Sequence, residues 1–285
     1  MNRHLIQSAE EKFRKKKIRL EHQQEKQIQK ENIHLSLLTD EDRLLLEHIH
    51  HAYGNRTHYF HPFDILPELL LNNNDYFHHF STLSDLINAR SITILRLILF
   101  FKLASPQFQN LNADDKVALV KFNIPTLFWL NISLCYNPIT NTFCEDEQCD
   151  LIFDGKHFID FYGFNIYNKI IKNLYDLHQF IEIDPMIIYL LILILLFSHF
   201  SSCTSLAEPI LADHQYIRQT QNCYIKLLMK ILLEKFNEQQ ANRFLSKLIL
   251  ICLNIQNLNR DVCYIESTEI LNENILSLMK VFLMK

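Results

Sequence analysis

The sequence contains few residues that turn or end a chain. Only 3 glycines and 7 prolines occur among its 285 residues. A chain so poor in turn formers cannot build many hairpins, and it has no glycine-rich loop that would cradle a phosphate or a dinucleotide. Long helices must therefore dominate, and we expect an all-α fold.

Catalytic and metal-binding motifs are also missing. The sequence contains no G-x-S-x-G, no H-E-x-x-H and no P-loop. Its seven cysteines form no C-x-x-C pair, which argues against a zinc module and a disulfide framework and favours reduced thiols. We therefore expect neither an enzyme nor a bound metal or cofactor.

A histidine-rich run is the one alternative to that expectation. His48 and His51 share a helical face, and Glu47 precedes His51 by four residues, a spacing that would suit a metal ion. Such spacing is nonspecific, because histidines near a helix end are more often solvated or bonded to carbonyl groups.

The charge of the chain is close to balanced. A net charge of -4 and a pI near 6.4 give no general electrostatic reason to bind nucleic acid. We expect residues 1–34, which contain the cluster Arg14-Lys15-Lys16-Lys17, to be a charged linker or hinge, and residues 35–285 to be the folded domain. The cluster fits a nuclear-import or phosphate-contacting patch, or else a solvated helix face.

Long apolar runs are limited to Met186–Phe200. This run is shorter than the ~20 residues needed to span a bilayer, and its apolar residues cover every face of a helix. We expect a buried core helix and no membrane partner.

Apolar periodicity predicts a series of helices. The first begins after the capping residue Thr39 and ends at Gly54, and a long connection follows up to residue 82. Further helices are predicted at 83–102, from the cap Asn112 onward, and at 165–180, 185–200, 208–236, 238–265 and 271–284. We expect Pro125 to kink the helix that follows Asn112.

Strand signals are confined to residues 136–164. Leu151–Phe153 and His157–Ile159 flank the turn Asp154-Gly155-Lys156, which predicts one small hairpin.

The most specific stretch is FFKLASPQFQNLNADDKVALVK, residues 100–121. An apolar helix ends at Lys102, a break contains Pro106 and Phe108, and a capped helix then carries Asp115 and Lys121. This order resembles the signature of nuclear receptor ligand-binding domains, with one extra residue near Pro106 and Lys116 where that family usually has glutamine. Weaker resemblance extends over residues 39–284.

The resemblance implies a fold and a function. The expected fold is a three-layer antiparallel helical sandwich with one small β-hairpin. The expected function is regulation of transcription in the nucleus, with possible shuttling to the cytoplasm, by a domain that binds a lipophilic molecule and recruits coactivator or corepressor helices.

The family's partner groove maps onto the ends of two helices and onto the last helix. The corresponding residues are Ile98, Lys102, Lys116, Val117, Val120, Lys121, Leu278, Met279 and Phe282. A lysine at a helix end can bind the carbonyl groups of a docked helix, whereas most surface lysines are simply solvated.

The family's acidic clamp residue is absent from the last helix. Lys280 and Val281 stand around the matching place, and a lysine there would repel the N-terminus of a partner helix. We expect coactivator binding to be weak, with a groove that favours corepressor helices or is filled by the chain's own last helix.

A ligand pocket and a dimer surface follow from the same resemblance. The pocket residues would be Asn88, Ile92, Leu95, Thr126, Trp129, Leu130, Phe143 and Phe153. Their apolar character suits a sterol, retinoid or fatty acid, although the bulky side chains could instead fill the space. The dimer surface, for a homodimer or a heterodimer with another receptor, would be Phe244, Leu248 and Cys252, for which packing within the core is the competing explanation.

The sequence carries no eight-cysteine zinc module, so DNA would be contacted only through a domain outside this chain. Two other functions stay open. One is a helical scaffold that binds only proteins, without a ligand; the other is a carrier or enzyme that acts on lipids.

Overall fold

The computed structural model describes residues 36–58, 83–145, 153–198 and 211–265. Their helices are α1 Asp40–Asn55, α2 Leu83–Ala104, α3 Pro106–Gln109, α4 Ala113–Cys135, α5 His157–Ile183, α6 Met186–Leu196, α7 His214–Lys235 and α8 Glu238–Ile265. The expected all-α class is confirmed. The charged segment 1–34, most of the connection 55–82 and the helix predicted at 271–284 lie outside the described residues.

Side-chain caps fix where two helices begin. The Thr39 hydroxyl accepts a bond of 3.1 Å from the Asp42 amide, and the Asp42 carboxylate accepts one of 2.9 Å from the Thr39 amide. Asn112 likewise accepts a 2.8 Å bond from the Asp115 amide at the start of α4. Both predicted N-caps are confirmed.

The predicted end of α1 at Gly54 is wrong. The helix continues to Asn55, and Arg56 keeps a right-handed helical conformation. The Arg56 guanidinium donates a hydrogen bond to the Tyr53 carbonyl. In a helix that ends at glycine, backbone amides beyond the helix would bind such a carbonyl group, whereas here a side chain does so. Pro125, at which the sequence predicts a kink, lies inside α4, and the helix continues through it.

The sheet differs in part from the predicted hairpin. Strands β1 Tyr136–Asn137, β2 Thr142–Phe143 and β3 Phe153–Asp154 pair antiparallel in that order. The prediction that residues 157–159 form a strand is wrong, because α5 begins at His157 directly after the turn. Close approach explains the glycine in that turn: a Cβ on Gly155 would lie 2.7 Å from the Asn141 Oδ1 atom.

The helices pack in three layers. Helices α1 and α2 lie on one side, α4, α6 and α7 lie in the middle, and α5 and α8 cover the other side. α5 changes direction at Gly163, whose φ of 76° places it in the left-handed region that favours glycine. The three-layer helical sandwich is confirmed.

Apolar helices form the middle layer. Nearly every residue of α6 is buried, so this segment is a core helix. Among the described residues, α4 is long and apolar enough to span a membrane, and 72% of its most apolar window is buried in the fold. The bent pair α5 and α6 passes the same length and composition test only if the two helices are counted together.

Candidate functional site

The junction between α2 and α4 is held by local hydrogen bonds. Ser105 caps the short helix α3 by accepting a 3.1 Å bond from the Phe108 amide. His48 of α1 bonds to the Leu103 carbonyl at 2.7 Å, and Gln109 donates to the Lys102 carbonyl. These side chains satisfy carbonyl groups at the end of α2, so the position at which the helix stops is well determined.

Basic side chains gather at this junction. Lys102 stands in the last turn of α2 and is half-buried. Burial and, to a smaller extent, the ammonium group of Lys116 lower the pKa of Lys102. The Lys121 Nζ atom lies 5.8 Å from the centre of the Phe122 ring. Lys102 in the last turn of α2 and Lys116 and Lys121 near the start of α4 are called the basic rim below.

The apolar residues expected to form the floor of a groove differ in accessibility. Ile98 and Val120 are fully buried in the core, whereas Val117 is half-buried. Of the three, Val117 alone keeps surface that a docked helix could contact. Leu278, Met279 and Phe282 lie outside the described residues.

Most of the expected pocket residues are buried. They are Ile92, Leu95, Thr126, Trp129, Leu130, Phe143 and Phe153, whereas the side chain of Asn88 lies outside the described part. Phe143 and Phe153 lie with their ring centres 5.8 Å apart, and both contact Phe158. Trp129 also contacts Phe158, with ring centres 6.0 Å apart. The sheet, α4 and α5 therefore meet in one aromatic cluster.

Two polar groups lie on the face of α4 that carries Trp129. Thr126 accepts a 3.0 Å hydrogen bond from the Asn259 amide group of α8. The Trp129 indole N–H is buried and has no acceptor among the described residues. Buried donors are nearly always paired in folded proteins, so an unpaired indole N–H marks a position where an acceptor is expected.

A buried ionic network lies where α1, α2, α4 and the end of the sheet meet. Arg96 donates a 2.9 Å hydrogen bond to the Glu145 carboxylate, and Arg56 lies 3.6 Å from the other carboxylate oxygen. Asn131 donates to Glu145 at 2.6 Å and accepts from the Tyr53 hydroxyl at 2.9 Å. The network therefore joins four separate parts of the fold.

Electrostatics keep this network ionised. Burial raises the pKa of Glu145, but the two guanidinium groups and the hydrogen bonds from Arg96 and Asn131 outweigh burial, and the net result is a lowered pKa. The Arg56 guanidinium also lies 3.4 Å from the centre of the Tyr53 ring, a cation–π contact. Because all of these charges are paired inside the fold, the network holds elements together.

Sequence reasoning missed this network, although one signal was available. Arg96 is the only charge in the apolar run Ile92–Phe101. A single arginine within a helix that is apolar on every face needs a buried partner. The partner, Glu145, is 49 residues away in sequence, and no periodicity identifies it.

The residues assigned to a dimer surface point largely inward. Leu248 is fully buried, Cys252 is 7% exposed, and the Phe244 ring packs on Phe236 with ring centres 4.4 Å apart. The exposed apolar side chains of α8 are Ile249, Leu250 and Leu253. The outward face of the helix is thus offset from the positions that the sequence indicated.

The histidines of α1 do not form a metal site. His48 binds the Leu103 carbonyl, and His51 lies 3.7 Å from Glu47 on the exposed surface. No cluster of three or more histidine, cysteine or acidic residues suited to a metal is present in the described ranges. His48 lies in the middle of α1, and the carbonyl group that it contacts belongs to the neighbouring helix α2.

Comparison with known proteins supports the resemblance seen in the sequence. The family model described as the ligand-binding domain of nuclear hormone receptor matches residues 72–265, which is more than half of the chain. A search of curated proteins found no match.

Proposed function

Because the chain belongs to the nuclear hormone receptor family through its ligand-binding domain, we propose that it regulates transcription by binding a lipophilic molecule and a coregulator helix. Members of this family are generally receptors without catalytic activity. The regulatory role, a nuclear location and a dimeric state are parts of the same proposal.

The basic rim at the end of α2 carries the proposal of a coregulator site. Lys102 lies in the last turn of α2, and Lys116 directly precedes the half-buried Val117 near the start of α4. A helix that docks here would place leucine side chains on Val117 and its C-terminal carbonyl groups against the lysines. The lysine charges favour that end of the partner helix because its dipole is negative there.

Fluorescent peptides test this site. We expect a helical peptide with leucines at i, i+3 and i+4 to bind the full chain, and Lys102→Glu to weaken binding about tenfold through loss of the rim charge. Lys172→Glu is the matched control, since Lys172 is an exposed lysine of α5. Equal binding by wild type and Lys102→Glu would contradict the proposed site.

The last helix lacks the family's acidic clamp residue, and this absence affects which partner helices we expect the groove to bind. We propose that the groove prefers longer, corepressor-type helices or is covered by residues 271–285. Deletion of 271–285 should then leave binding unchanged or strengthen it. Tight binding of a coactivator-type peptide that this deletion abolishes would overturn this part of the proposal.

The outward face of α8 supports a dimer. Ile249, Leu250 and Leu253 are each about half exposed, at 53%, 57% and 49%. Three large apolar side chains on one stretch of helix favour a second helix of the same kind as partner.

A protein-interaction scaffold without a ligand is a second candidate. Close packing of Phe143, Phe153 and Phe158, with ring centres 4.9–5.8 Å apart, favours it, because these side chains fill much of the space beside α4. Native mass spectrometry of the chain purified from its own cells separates the two functions. A copurifying lipophilic molecule supports the receptor, and peptide binding by a chain that carries none supports the scaffold.

A further inference from the structure

We infer that the ligand of this domain is a neutral lipophilic molecule with a hydrogen-bond acceptor, which pairs with the indole N–H of Trp129. This inference rests on the proposed ligand-binding function and goes beyond it by naming the donor and the chemical class of the ligand.

The first observation is the buried donor itself. Trp129 is 2% exposed, and its indole nitrogen has no acceptor among the described residues. An indole N–H can only donate a hydrogen bond. A change of tautomer or protonation state therefore cannot remove the need for an acceptor. An oxygen of a bound molecule would satisfy it.

The second observation is the character of the surroundings. The rings that contact Trp129 belong to Phe128 and Phe158, with centres 5.3 and 6.0 Å away. Two polar side chains one turn away on the same helical face, Thr126 and Ser133, are already bonded to Asn259 and to the Leu130 carbonyl. These neighbours are uncharged, and a buried anion without a counter-charge is strongly disfavoured. A carbonyl, ester, ether or hydroxyl oxygen fits this place better than a carboxylate.

The cations of the region are engaged elsewhere. Arg96 and Arg56 belong to the network of Glu145, which Asn131 joins from α4. Asn131 follows Trp129 by two residues, about 200° around the helix, so the network lies on the opposite side of α4. The guanidinium carbon of Arg90 stands 4.8 Å from the centre of the Phe128 ring. Among the described residues, the cations near Trp129 are therefore held by Glu145 or stand over an aromatic ring, and an acidic ligand would place its charge beside uncharged side chains.

Trp129 is also the best available probe, because it is the only tryptophan in the chain. Its fluorescence therefore reports on this site alone. We propose to titrate the full chain with three pairs that share a scaffold: palmitic acid and methyl palmitate, retinoic acid and methyl retinoate, and cholanic acid and methyl cholanate. Calorimetry on the same pairs gives affinities that do not depend on fluorescence.

The expected result is that at least one ester shifts the Trp129 emission and binds about tenfold more tightly than its acid. Trp129→Phe should weaken that ester about fivefold, the effect of one lost hydrogen bond, and leave the affinity of the oxygen-free hydrocarbon of the same scaffold unchanged. Phe158→Leu is the control variant, because it changes the packing beside Trp129 and keeps the donor. It should weaken ester and hydrocarbon alike.

Two other outcomes distinguish a failure of this inference from a failure of the proposed ligand-binding function. An acid that binds as tightly as its ester, or an ester that Trp129→Phe does not affect, would overturn this inference while the receptor function stands. Absence of binding by every member of the three pairs would count against both this inference and the proposed ligand-binding function, whereas peptide binding at the basic rim would still be measured independently.

Discussion

Glu145→Gln would leave two buried guanidinium groups without their carboxylate. The side chains of Arg56, Arg96 and Glu145 are 4%, 1% and 8% exposed, so water and salt screen their interaction weakly. Removal of one member of a buried ion pair typically costs about 3–5 kcal/mol. Because glutamine can still accept a hydrogen bond from Asn131, we expect the lower end, about 3 kcal/mol.

Urea denaturation followed by circular dichroism measures this loss. In a domain of this size, about 3 kcal/mol corresponds to a fall in Tm of about 6–12 °C. Glu182→Gln is the matched control, since Glu182 is 69% exposed and pairs only with His178 at 3.7 Å in the described structure. The control should change stability by less than about 0.5 kcal/mol.

A second variant tests the electrostatic explanation. Glu145→Gln combined with Arg96→Met removes one charge of each sign, and we expect it to recover part of the lost stability, because apolar replacements of buried ion pairs are often neutral. A loss below about 1 kcal/mol for Glu145→Gln alone would refute the reasoning that the network is dry and ionised.

Three further predictions concern other parts of the fold. Gly155→Ala should destabilise the domain by about 1 kcal/mol, because the new methyl group would meet the end of the Asn141 side chain at 2.7 Å and turn it away from its hydrogen bonds with Tyr136 and Tyr167. The hydrogen bond from Lys230 lowers the pKa of Asp42 below its ordinary 3.8, so this pair should stabilise the fold above about pH 4 and lose its effect as acid protonates Asp42. Leu250→Glu should weaken self-association measured by sedimentation about tenfold.

Each of these predictions has a control within the same structure. Gly54→Ala places a methyl group with no atom within 4 Å inside α1, and it should stabilise the helix by about 0.5–1 kcal/mol. Asp42→Asn should reduce the acid dependence of the unfolding free energy by up to about 1 kcal/mol, and Asp40→Asn, at an exposed position of the same helical turn, is the matched control variant. Leu44→Glu, on the exposed side of α1, should not affect self-association; equal effects of Leu44→Glu and Leu250→Glu would contradict the dimer face.

Sequence periodicity predicted most of the helices, because apolar spacing and caps act locally. Thr39 and Asn112 are short-range signals, and both were identified correctly. The prediction of a strand at residues 157–159 failed because the preceding turn residues, Gly155 and Lys156, suit the start of a helix as well as the middle of a hairpin. Which of the two forms depends on packing against α4, which no local pattern encodes.

The site could be predicted less completely than the fold. Lys102, Lys116 and Lys121 could be singled out because they lie within one contiguous signature, and their role in partner binding stays a prediction. The partners of Arg96 and Thr126 could not be found, since Glu145 and Asn259 are distant in sequence and reach them only through the packing of the layers. The family resemblance assigned Leu248 and Cys252 to a dimer surface, with packing in the core as the competing explanation, and both side chains are buried.

The proposed function gives the domain two binding sites, and we propose that the lipophilic ligand changes the affinity of the basic rim for the coregulator helix. The most direct measurement is the affinity of one fluorescent helical peptide for the full chain before and after removal of the bound molecule with a hydrophobic resin, with native mass spectrometry to record the loss. We predict a change in peptide affinity of at least about fivefold, the usual lower limit of allosteric coupling. An identical affinity for the loaded and stripped chain, or a purified chain that never carried a ligand and binds the peptide equally well, would contradict the account.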